Sequence, residues 1–241
     1  MGSAFVLLSR LPVPRLPDAA FEYSARAVWS YSIVGAVLGA LATLSGVLAM
    51  TFEVPPAASA GLALAVLIVT AGAMHEDGLA DTADGFWGGH TPEQRLFIMK
   101  DSQIGSYGTL SLIMVTGLRW SAITALLAPA PAAIIAATAL SRGFIPLVMR
   151  ALPPARKSGL SQGVGRPDLA PVLCALALGF VIALFAVGKA AVVSRMLCLV
   201  VSGACVWLAG RKIKGQTGDV LGATQQLCEA GTLCLFAAML A

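Results

Sequence analysis

Long stretches of this 241-residue chain carry no charged side chain. Residues 61–74, 109–118 and 170–188 lack Asp, Glu, Lys and Arg altogether, and several such runs approach the roughly 20 apolar residues that cross a bilayer. Charged residues are 12% of the whole and apolar ones 58%, against roughly 25% charged in a soluble domain. A soluble protein of this size has no way to hide so much apolar surface. In lipid each spanning segment must satisfy its own backbone hydrogen bonds, so the expected fold is all-α, a polytopic transmembrane helix bundle forming one integral-membrane domain over residues 1–241. Pro12, Pro14 and Pro17, with Arg10, Arg15 and Asp18, interrupt the first apolar run after about six residues. Residues 1–20 are therefore expected to form an interfacial elbow rather than a cleaved leader.

Prolines, glycines and charge clusters punctuate the chain into expected helices at 26–50, 57–75, 107–128, 132–150, 169–187, 192–210 and 220–241. That makes seven spans, or six if the last, which opens on Gln225, Gln226 and Glu229, is too polar. With a cytoplasmic amino terminus, the inner loops collect Arg10, Arg15, Arg26, Arg95, Lys100, Arg150, Arg156, Lys157, Arg166, Arg211, Lys212 and Lys214. The outer loops keep only Lys189 and Arg195. This bias puts the 75–106, 150–168 and 211–219 connections together on the cytoplasmic face of the membrane. The net charge of +4 is too small and too divided to imply nucleic acid. Cys174, Cys198, Cys205, Cys228 and Cys234 lie in apolar surroundings without CxxC spacing and read as small buried hydrophobes. Oligomeric state is left open, self-association included.

Six of the twelve acidic residues fall between Glu76 and Asp101. Asp77, Asp81 and Asp84 stand at i, i+4 and i+7, within roughly 60° of one another on a helix. Like charges so placed destabilise a helix unless solvated, protonated or bound to a cation. Hard oxygen ligands suit Mg²⁺, with Mn²⁺ as a substitute, and such ions commonly share carboxylates with substrate phosphates. The bland alternative is a solvated helix end, but Gly78, Gly85, Gly88 and Gly89 suit close backbone approach better than a plain solvated face. His75, just before the stripe, serves equally as a general base or as a structural hydrogen-bonder. His90 reads as loop.

Lys100, Asp101, Ser102 and Gly105 precede the next apolar run and can hold phosphate or simply cap that helix. Thr217 and Asp219 open the last helix, where an acidic cap is routine. Glu229 lies about 15 Å further along it, at hydrocarbon depth. An intramembrane carboxylate is a functional candidate, with Arg142 and Arg119 as the available buried partners.

Four blocks carry a resemblance: Arg10-Leu11-Pro12-Val13-Pro14, the segment His75 to Gly85, Met99-Lys100-Asp101-Ser102 through Gly105, and Thr217 to Ala223. In this order the chain resembles the cobalamin synthase family, the adenosylcobinamide-GDP ribazoletransferases, over almost its whole length. Two departures stand out: Glu76 replaces an apolar residue expected after His75, and Gln103 stands where the family often has Arg. The resemblance implies transfer of the cobinamide phosphate of adenosylcobinamide-GDP to a ribose hydroxyl of α-ribazole or its 5′-phosphate, with GMP released and Mg²⁺ as cofactor. It further implies metal and diphosphate binding by Asp77, Asp81 and Asp84, one of them or His75 as base, and support from Lys100, Arg142 and Asp219. A membrane CDP-alcohol phosphotransferase is the nearest alternative, but Asp81 follows Ala80 where that family's opening motif has Arg. A cation transporter would place its acids at mid-membrane, and only Glu229 suits that.

Overall fold

The computed structural model describes residues 1–14, 16–17, 21, 24–156 and 159–241. Arg15, Lys157 and parts of the expected 1–20 elbow lie outside the described residues. In chain order the helices are α1 (Gly2–Leu8), α2 (Ser24–Ala27), α3 (Tyr31–Thr51), α4 (Pro56–Ala71), α5 (Met74–Gly88) and α6 (Pro92–Ile98), then α7 (Ser106–Leu126), α8 (Ala132–Ala151), α9 (Leu160–Val164), α10 (Leu169–Val187), α11 (Ala190–Ile213) and α12 (Gly218–Leu240). No strand occurs among the described residues.

Among the described residues five segments are long and apolar enough to cross a membrane: α2 running into α3, α7, α8, α10 and α11. The helix expected at 57–75 ends early. Gly72 and Ala73 both adopt left-handed backbone, at φ 69° and 53°, and turn the chain by 85° from α4 into α5. The two count as a sixth span only if taken together. Left-handed backbone costs a non-glycine residue roughly 1–2 kcal/mol, so the strain at Ala73 is held by its surroundings. Arg10 helps to hold it, because its amide donates to the Thr70 carbonyl at 2.7 Å and its side chain lies against Gly72. The seventh expected helix is present as α12, but its polar residues keep it out of the apolar set.

The packing explains both results. α8 is the central helix, buried along nearly its whole length and packed against α3, α10, α11 and α12. α12 is buried on most of its surface, so its glutamines and Glu229 face protein rather than lipid. The 75–106 connection is helical through its aspartate stripe, as expected, and α5 packs into the bundle against α12 and α7. Glycine permits this approach. A Cβ on Gly78 would stand 2.8 Å from the Asp219 carbonyl oxygen, and one on Gly222 would stand 3.2 Å from the His75 Cα.

Candidate active site

Helix α5 runs unbroken through Gly78, so Asp77, Asp81 and Asp84 do share a stripe. Their surroundings then separate them. Asp84 is buried, and both its carboxylate oxygens accept backbone amides, from Gly105 at 2.7 Å and Gly108 at 2.9 Å. Helix α7 begins after Gly105, which offers no side-chain cap, and the first amides of a helix need partners. Asp84 supplies that cap from a neighbouring helix, with its charge at the positive end of the α7 dipole. Two of the amides that could have held phosphate at this helix start, those of Gly105 and Gly108, are thereby occupied. Lys100, Asp101 and Ser102 are exposed on the preceding turn.

Asp77 and Asp81 point elsewhere. Asp77 is exposed and lines a pocket together with Asp219 at the start of α12. This stretch of α5 meets the starts of α7 and α12, through Asp84 with the Gly105 and Gly108 amides and through the close approach of Gly78 to Asp219. Burial, then the neighbouring carboxylates of Asp77 and Asp219, push the Asp81 carboxyl up to about 7, against the pull of Arg156. Burial also raises Asp219, while Arg156 and the Thr217 hydroxyl draw it back. The Arg156 guanidinium donates to Asp219 at 3.1 Å and to the Leu96 carbonyl at 3.1 Å. Thr217, the N-cap of α12, accepts the Val220 amide and donates to Asp219 at 3.1 Å. The structure thus groups Asp77 and Asp81 with Asp219 and Arg156. Sequence spacing pointed to Asp219 only as a cap, and it gave no signal for Arg156 beyond a basic loop.

A strap closes one side of the pocket. The Ala155 amide donates to the Gln216 carbonyl at 2.8 Å and the Gln216 amide to the Pro153 carbonyl at 2.9 Å. Ser161 on α9 donates to the Gln216 side chain at 2.6 Å. The pocket so enclosed has a volume of about 310 Å³. His75 lines it; the residue is 2% exposed and its Nε2 has no hydrogen-bond partner.

Behind the site lies a buried charge network. Arg119 meets Glu76 at 2.8 Å and Glu229 at 2.7 Å, and Arg142 meets Glu229 at 3.0 Å. Gln225 donates to Glu229 at 2.6 Å and Gln226 to Glu76 at 3.1 Å. Two arginines and two glutamates balance, which buried charges require. Glu229 and Arg142, expected as partners, are found as such. They sit in this network rather than on the pocket wall. Glu76, a departure from the family pattern in the sequence, is its fourth member and ties α5 to α7 and α12.

Among the described residues no three His, Cys, Asp or Glu side chains form a group able to hold a metal ion. Asp77, Asp81 and Asp219 are nevertheless a hard oxygen set short of positive charge, with one arginine among them. They do not converge on one point, so a cation held there would take most of its shell from water and substrate oxygens.

The chain is thus a multi-pass helical bundle with an acidic, arginine-flanked pocket at the ends of its helices. The profile of the cobalamin-5-phosphate synthase family matches residues 1–237. Three relatives of the chain, each named adenosylcobinamide-GDP ribazoletransferase, are 40% identical to it. That of Bradyrhizobium diazoefficiens aligns over 99% of this chain and 92% of its own length, that of Rhizobium johnstonii over 98% and 95%, and that of Brucella canis over 91% and 89%. No solved structure matches. The chain belongs to the cobalamin-5-phosphate synthase family.

Proposed function

We propose that the protein is a membrane adenosylcobinamide-GDP ribazoletransferase of coenzyme B12 assembly. A ribose hydroxyl of α-ribazole, or of its 5′-phosphate, attacks the cobinamide phosphate of adenosylcobinamide-GDP; the new ester forms as the bond to GMP breaks, and GMP leaves. The observation that carries this reading is a pocket lined by Asp77, Arg156 and Asp219, with Asp81 close beside them, in a chain whose relatives bear that name.

Asp77, Asp81 and Asp219 are the residues that would hold Mg²⁺, or Mn²⁺ in its place. Bound there with substrate oxygens, the ion would neutralise the diphosphate and stabilise charge on the leaving GMP. Arg156 offers a planar fork to a phosphate oxygen pair, already oriented by Asp219 and the Leu96 carbonyl. An aspartate of the group, or His75 with its unpaired Nε2, takes the hydroxyl proton. Asp84 supports this indirectly by docking the α7 start onto α5. Lys100, Asp101 and Ser102 stand on the exposed turn beside it, where a corrinoid-linked diphosphate approaching from the aqueous side meets them. The excess of Lys and Arg in the same loops supports a cytoplasmic active face in the bacterial inner membrane.

Purified protein in detergent, given Mg²⁺, adenosylcobinamide-GDP and α-ribazole 5′-phosphate, is expected to release GMP. Asp81→Asn is expected to lower turnover by roughly 10²–10³-fold, the scale of losing one charge-stabilising group, without loss of fold. Absence of GMP from folded, Mg²⁺-loaded protein refutes the activity; near-normal rates in the Asn variants of Asp77, Asp81 and Asp219 refute the metal assignment.

A further inference from the structure

Helix α11 keeps one face open along most of its length. Val193, Met196, Val200, Ala204 and Trp207 recur at helical spacing and are all exposed. At 1.5 Å per residue they form an apolar stripe about 21 Å long. The helix is one of the membrane-crossing segments, so lipid covers this face. Arg211 continues the same face one turn beyond Trp207, with its guanidinium 5.5 Å from the indole ring centre. Along the axis Arg211 stands about 27 Å from Val193, close to the roughly 30 Å thickness of a hydrocarbon core. Apolar stripe, aromatic ring and charge therefore follow one another in the order of a bilayer's own layers.

Arg95, Arg211, Lys212 and Lys214 gather at this helix end, and the first and third have structural work. Arg95 donates to the Lys212 carbonyl at 3.0 Å, and Lys212 donates to the Phe86 carbonyl at 2.8 Å. Each thereby satisfies a carbonyl in the last turn of a helix, α11 or α5, where no intrahelical partner exists. Lys212 also stands 5.3 Å from the ring centre of Trp87. Arg211 and Lys214 are exposed, and neither lines the acidic pocket. A guanidinium stacked on an aromatic face keeps its N–H donors free at the rim. Lys214 ends the helix in left-handed backbone, at φ 56°, and the carboxylate that feels its charge, Glu93, is itself exposed.

We infer that the end of α11 binds the headgroup of an acidic phospholipid. Trp207 sets the depth at the edge of the hydrocarbon, and Arg211 and Lys214 hold the phosphodiester. Position decides for a lipid over a free phosphate, because the face that carries Arg211 is apolar and lipid-covered from Val193 to Trp207. A basic residue at an anionic surface gives roughly a fivefold preference, so two give roughly 25-fold. Residues 215–219 follow directly on Lys214. A headgroup held here therefore fixes the depth at which Gln216 and Asp219 enter the pocket wall.

The test uses the full chain in detergent, with Trp29→Phe, Trp87→Phe and Trp120→Phe leaving Trp207 as the fluorescent reporter. Brominated phosphatidylglycerol or brominated phosphatidylcholine is titrated in, and quenching of Trp207 is followed. Half-quenching is expected at roughly 25-fold less of the acidic lipid at low salt, with the preference narrowing as salt screens the charges. Arg211→Gln with Lys214→Gln is expected to bring the two lipids within about twofold of each other, at unchanged helix content by circular dichroism. Arg211→Lys with Lys214→Arg is expected to keep the preference, since charge carries it. Equal quenching by both lipids, or a preference that survives in the double Gln variant, overturns the inference. A preference that inorganic phosphate abolishes at the same concentration shows a free-anion site and overturns it too. Native mass spectrometry of the protein with all its tryptophans provides a second measurement should the triple Phe background fail to fold. More phosphatidylglycerol retained by the wild type than by the double Gln variant upholds the site, and equal retention overturns it.

Discussion

Replacing Glu76 with Gln removes one negative charge from a buried group in which two arginines face two glutamates. What remains is two positive charges against one, with Arg119 1% and Glu229 0% exposed and little water to screen them. Breaking one partner of a buried pair costs about 3–5 kcal/mol, most of it the penalty of the charge left behind. Gln keeps the shape and can still accept from Arg119 and Gln226, which argues for the lower end, near 3 kcal/mol. If charge imbalance is the cause, Glu76→Gln with Arg119→Gln is milder than the sum of the single changes, because Arg142 and Glu229 then form a neutral pair at 3.0 Å. A coupling of about 1–3 kcal/mol is expected. Reversible unfolding of the four proteins by SDS titration in mixed micelles measures it, with helix content from circular dichroism as the readout. Strict additivity of the two single changes, or a Glu76→Gln protein as stable as the wild type, refutes the charge-balance argument.

Asp84→Ala removes two amide acceptors from the α7 start, and a loss of about 2 kcal/mol is expected from the cap and the buried amides; Asp84→Asn, which retains one acceptor, loses less in the same titration. In metal-free protein the Asp81 carboxyl rises from an ordinary 3.8 to about 7 on folding, so its stabilising contribution is complete below about pH 4 and is lost as pH rises through 7. The thermal midpoint is therefore expected to fall between pH 5 and 8, with the fall abolished by Asp81→Asn; a flat profile counts against the carboxylate cluster. Arg156→Gln is expected to change stability by less than about 1 kcal/mol, since the pair with Asp219 is partly exposed, yet to slow GMP release by roughly 10²-fold; equal small effects on both deny Arg156 a part in phosphate binding.

The spans were legible because lipid leaves a long, uncharged run as its mark, and the expected helices are present near their expected ends except that of 57–75, which stops at Ala71. The bend at Gly72–Ala73 was not, since Ala73 carries no sequence sign of left-handed backbone. Helix periodicity correctly gathered three aspartates on one stripe of α5. It could not foresee that Asp84 would be claimed by the bare start of α7, because that demand comes from a helix some 20 residues further on. Asp219 and Arg156 join the site only through the meeting of α12, α5 and the 152–156 strap. Glu229 and Arg142 were recognisable from depth alone, since a charge in the hydrocarbon needs a partner. Glu76 was visible only as an oddity against the family pattern, and its partner Arg119 explains it.

That pairing has a consequence for inheritance. In a chain with an apolar residue at position 76, an arginine at 119 would leave the interior with one positive charge too many, while Arg142 and Glu229 remain neutral by themselves. Positions 76 and 119 therefore form a single trait: relatives are expected to carry both charges or neither, and a lineage crossing from one state to the other passes through an unstable intermediate unless both codons change together.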